Sequence, residues 1–140
     1  MAHLRQFASA VLEVFAVSLM ASWMVASVYL LAYVGWIPRI IGAFFPFLST
    51  LAAGAVLTDV RQSLAAGMIS IVMSCSFIVF LLALPALLGQ IADPELAGFF
   101  VDSMVIQVAT ASGPVPLHII TLSILSVVGA IAGGLATGAR

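Results

Sequence analysis

The chain has 140 residues, 64% of them hydrophobic and only 6% charged. Soluble domains carry about 25% charged residues, so four basic and five acidic side chains cannot build a soluble surface, and lipid has to be the solvent for most of it. A net charge of −1 supplies no basic field for nucleic acid, the lack of Asn removes any N-glycosylation acceptor, and the single Cys75 excludes an internal disulfide.

A spanning helix needs about 20 mostly apolar residues. The first candidate is 7–34. A secretory signal core has only about 7–15 apolar residues, so this run reads as a retained membrane helix. Tyr29, Tyr33 and Trp36 gather at its end as an interfacial aromatic belt. Gly35-Trp36-Ile37-Pro38-Arg39 is a short turn, with Pro38 expected in the first turn of the next helix. The second span is 40–58, with a kink expected at Pro46. Asp59-Val60-Arg61-Gln62 is a polar turn short enough to force an antiparallel hairpin, followed by a third span at 63–88.

Residues 89–116 differ. Asp93-Pro94-Glu95 is a strong helix start: a capping residue, proline at the first position and an acid in the first turn. Leu96, Phe99, Phe100, Met104 and Val108 then recur at helical spacing, with Asp102 off the stripe. The expectation is an amphipathic helix at about 93–111, lying on the membrane or over the bundle. A partly buried loop helix fits the same periodicity. Gly113-Pro114-Val115-Pro116 ends it, and the fourth span runs at 117–139.

The expected fold is therefore all-α and polytopic: one membrane domain over 1–140, with four spans in two antiparallel hairpins plus one external amphipathic helix. Four spans put Arg5, Arg61 and Arg140 on one side and Arg39 on the other. The positive-inside rule then predicts a multi-pass plasma-membrane protein with both termini cytoplasmic.

The two halves resemble each other. Without a gap, 39–61 and 118–140 pair Ile40 with Ile119, Ile41 with Ile120, Ala53 with Ala132, Gly54 with Gly133, Thr58 with Thr137 and Arg61 with Arg140. Arg39 pairs with His118 as a second basic position, and the preceding helices share VYLLA at 28–32 and VFLLA at 79–83. Two parallel repeats about an axis along the membrane normal would produce this pattern, an arrangement frequent in transporters. Apolar helices built from few residue types also match by composition.

Glu13 is the candidate for chemistry, because a carboxylate in a spanning segment is by default a functional hypothesis. Its alternative is interfacial: residues 14–34 alone extend roughly 31 Å at 1.5 Å per residue, enough for the hydrocarbon without it. Segment 13–20, Glu13-Val14-Phe15-Ala16-Val17-Ser18-Leu19-Met20, resembles the first helix of small multidrug resistance antiporters, which implies a proton-coupling role for Glu13. The chain departs from that family in its length, its long third loop and its missing third-helix packing motif. Pro46, Ala53-Gly54, Thr58-Asp59-Val60-Arg61 and Gly67 are similar to a pattern in small uncharacterised prokaryotic, archaeal-type four-helix membrane proteins. That resemblance covers about thirty residues and implies no activity.

His3 and His118 have no Cys, Asp or Glu at ligand spacing, so no metal is expected. No nucleophile–base pairing, phosphate loop or cofactor motif is visible, so neither catalytic residues nor cofactors are expected. Gly54 and the motifs Gly129-x-x-x-Gly133 and Gly134-x-x-x-Gly138 are helix-packing candidates, since small residues let backbones approach inside lipid. The expected function is a non-enzymatic structural or accessory membrane subunit, with room for a homo-oligomer or a membrane-protein partner besides the bilayer. The alternatives are a proton-coupled transporter using Glu13, and lipid or surface sensing by the 93–111 helix.

Overall fold

The structure, a computed structural model, describes residues 2–57, 59–110 and 119–138. Thr58, His118, Arg140 and the 113–116 turn lie outside the described residues. The described chain forms five helices and no strand: α1 (Ala2–Tyr33), α2 (Arg39–Val56), α3 (Val60–Leu87), α4 (Pro94–Thr110) and α5 (Ile119–Ala136). Three of them, α1 from Gln6, α2 and α3, are long and apolar enough to cross a membrane; in α5 the apolar stretch is Ile120–Ala136.

The starts and ends follow local chemistry. Asp59 precedes α3 in extended conformation, and its Oδ1 accepts from the Arg61 N–H at 2.8 Å. That cap starts α3 at Val60, so the polar turn expected at 59–62 is already mostly helix. Asp93 does the same for α4, accepting from the Glu95 N–H at 2.9 Å, with Pro94 first in the helix. Pro38 stands before α2 rather than in its first turn: its ψ of 133° is non-helical, and its carbonyl accepts from the Ile41 N–H at 3.0 Å. Helix α2 continues through Pro46, whose missing N–H leaves no donor for the carbonyl of Gly42. Gly35, with φ +82°, makes the reversal after α1.

The sorting of side chains inverts that of a soluble bundle. Helix α1 buries Val14, Ser18, Ala21, Ser22, Val25, Ala26, Tyr29 and Ala32, while Phe7, Leu12, Met20 and Trp23 are each more than half exposed. In α1 most of the buried side chains are small or hydroxylic, and the largest apolar ones face outward. Where the solvent is lipid, nothing drives the large side chains inward, and close backbone packing favours small ones there.

Helix directions are fixed by side-chain bonds. Ser18 Oγ donates to the Ala66 carbonyl at 3.2 Å and Ser22 Oγ to the Ser70 carbonyl at 3.3 Å, each across 48 positions. A constant separation means that α1 and α3 run parallel in fixed register. Helix α2 returns between them: Val17, Ala21 and Met24 of α1 share a groove with Ser49, Ala53 and Val56. Helix α5 runs parallel to α2, since Gly129 meets Phe47 and Thr50 while Gly133, one turn on, meets Leu51 and Ala55.

The larger core cluster lies toward the far end of α1 and α3, where Val25, Tyr29, Ile78, Leu82 and Leu122 pack together. Helix α4 packs on α3 and, more lightly, on α5. Phe100 of α4 rests on the core cluster, while Leu96 and Phe99 of the expected apolar stripe are exposed and Asp102 is exposed as well.

Candidate functional site

The densest construction in the molecule is the seam where α2, α3 and α5 converge. A Cβ on Gly54 would strike the carbonyl oxygen of Ala130, and one on Gly133 would strike the carbonyl oxygen of Leu51. On Gly129 it would lie 2.5 Å from the Phe47 carbonyl and from Thr50 Oγ1, and on Gly134 2.9 Å from Ser63 Oγ. Gly67 of α3 faces the same seam, with Ala130 Cβ 2.9 Å from where its own Cβ would be. Gly54, Gly129 and Gly133 thus stand where a Cβ would strike the backbone of the facing helix, while at Gly134 it would press only on the Ser63 side chain. Gly138 differs: it follows the end of α5 at φ +71°, where a Cβ would meet nothing within 4 Å, and its N–H donates to the Leu135 carbonyl at 3.1 Å.

Hydroxyls stitch the same interior. Ser18 Oγ shares its proton between its own helix, at the Val14 carbonyl 2.6 Å away, and the Ala66 carbonyl of α3. Ser22 repeats this with the carbonyls of Ser18 and Ser70. Ser63 Oγ reaches the carbonyls of Gly54 at 3.3 Å and Asp59 at 3.1 Å, tying α3 to the end of α2. Thr50 Oγ1 donates to the Pro46 carbonyl at 2.7 Å. Ser70 Oγ, in contrast, is buried with no hydrogen-bond partner. The bonds that Ser18 and Ser22 make to α3 depend on a parallel register that no local signal carries.

Glu13 is exposed and is absent from the buried face of α1. The 48-residue offset between α1 and α3 puts it at the height of Arg61, beside the polar turn. It does not face the seam, and no acidic side chain belongs to the buried set of described residues. Cys75 packs half-buried against the core cluster. Among the described residues no three His, Cys, Asp or Glu side chains approach closely enough to hold a metal ion.

This arrangement can hold helices together at backbone distance, and among the described residues no carboxylate is buried in it. No family model, curated protein or solved structure matches the chain.

Proposed function

We propose that the chain is a four-span membrane protein of two hairpins, α1–α2 and α3–α5, with α4 on the outer face and both termini cytoplasmic, acting as a non-enzymatic structural or accessory subunit. The carrying observation is the use made of the interior: the small residues of α2 and α5 serve backbone contact, and the buried hydroxyls of Ser18, Ser22, Ser49, Thr50 and Ser63 donate to carbonyls of the bundle. A buried proton-coupling site needs a carboxylate, and among the described residues none is buried. The direction of α5, parallel to α2, supports a fourth crossing, and the arginine distribution supports the orientation.

The transporter reading requires Glu13 to meet a path through the protein. Its outward position at the height of Arg61 favours an interfacial carboxylate, as does the length of apolar helix beyond it. Glu13→Gln tests the choice. In proteoliposomes carrying a pH gradient, the structural reading expects the same proton flux from variant and parent. Flux in the parent that the substitution abolishes would establish the transporter.

The internal likeness gains support from geometry. The sequence offset pairs Gly54 with Gly133 and Leu51 with Ala130, and the two contacts Gly54–Ala130 and Gly133–Leu51 exchange under that same offset. A duplicated hairpin folding about a two-fold axis along the membrane normal produces such reciprocity.

A further inference from the structure

We propose that the groove between the N-terminal turns of α1 and the start of α3 is a binding site for one anionic phospholipid, its phosphate on Arg61 and an acyl chain along the α1–α3 seam. The groove encloses about 410 Å³. Phe7, Val11 and Val14 form one wall and Gln62, Ala65 and Ile69 the other, with Arg61 at the start of the α3 wall. No acidic side chain lines it, and Glu13 is not among its walls although it stands at the same height.

Three observations favour a lipid over other occupants. The fixed α1–α3 register carries the first turns of α1 past the start of α3, so that Phe7 and Val11, 70% and 52% exposed, stand beside a polar turn. Apolar side chains at that level need a cover that is oily on one side and tolerates charge on the other. Second, Arg61 is exposed, and a guanidinium forks two N–H donors onto a phosphate. Third, the groove passes without a polar break into a second one, lined by Phe15, Met68, Ile69, Val72 and Met73. From Arg61 to Met73 the helix rises roughly 18 Å at 1.5 Å per residue, close to one leaflet of a hydrocarbon core about 30 Å thick. A headgroup at Arg61 therefore leaves its chain a continuous apolar track. The inference rests on the proposed membrane placement of the Arg61 end.

The test is native mass spectrometry of the purified full chain, titrated with phosphatidylglycerol and with phosphatidylcholine of identical acyl chains. The expected result is preferential retention of the anionic lipid, and a preference about fivefold smaller in Arg61→Gln, the value of one interfacial cation. Ala65→Trp, which fills the groove at an exposed position, should lower retention of both lipids while leaving the helical circular dichroism unchanged. Equal retention of the two lipids by the parent chain would overturn the proposal, as would a preference unaltered in Arg61→Gln or a groove covered by a second copy of the chain. A lipid preference that survives Arg61→Gln would refute this site while leaving the four-span reading intact, since the topology is read by separate labelling.

Discussion

Gly54 and Gly133 occupy reciprocal positions across the α2–α5 seam, each pressed on a carbonyl of the opposite helix at the residue equivalent to the other's contact. Backbone atoms cannot swing away as a side-chain tip can, so a Cβ here has to part the helices. Gly54→Val and Gly133→Val should each lose about 2 kcal/mol or more, at the upper end of overpacking costs, in detergent–SDS unfolding. Gly35→Ala, at φ +82° with open space around it, should lose only about 1 kcal/mol from backbone strain. Equal losses at the three positions would mean that the seam is not the source of stability.

The buried serines should respond with opposite signs. Ser18 donates across to α3, and hydrogen bonds between membrane helices contribute about 0.6 kcal/mol, so Ser18→Ala should be mildly destabilising. Ser70 Oγ has no partner, and an unsatisfied buried polar atom costs about 1–3 kcal/mol. Ser70→Ala should therefore leave stability unchanged or raise it. The same unfolding assay reads both variants, and a larger loss in Ser70→Ala than in Ser18→Ala would contradict the assignment.

Asp59 ends one hairpin arm and caps the next helix. Removing its carboxylate in Asp59→Ala leaves the Arg61 N–H without its acceptor and should cost about 1 kcal/mol. Asp59→Ser retains a capping oxygen and should recover most of it. Hydrogen exchange at Val60 to Ser63 gives the local readout: faster in the alanine variant, near the parent rate in the serine one.

Much of the helix layout was legible, because hydropathy over a 20-residue window reports directly on lipid. The expected spans at 7–34, 40–58 and 63–88 overlap α1, α2 and α3 almost throughout. Their ends were less so. Hydropathy marks where lipid begins, not where the helix begins, and α1 accordingly starts at Ala2. Part of the fourth span, at 117–118 and 139, lies outside the described residues. Gly134 and Gly138 looked like one helical face, yet the helix ends between them and Gly138 takes a positive φ. The placement of Glu13 opposite the buried face follows from which residues of α1 contact α3. That packing is set by Ser18 and Ser22 reaching carbonyls 48 residues on, and sequence periodicity does not encode it. The groove beside Arg61 was invisible for the same reason: its walls come from two helices whose relative height is a tertiary fact.

The central claim is four crossings with both ends of the chain on one side, and cysteine accessibility tests it most directly. In a Cys75→Ser background, Asp59→Cys, Asp93→Cys and Gly138→Cys report three positions just outside the helices. A membrane-impermeant maleimide applied to intact cells should label position 93 alone, with 59 and 138 reacting only after permeabilisation. Labelling of position 138 together with 93 in intact cells would leave α5 on the outer side of the membrane and contradict the four-span account.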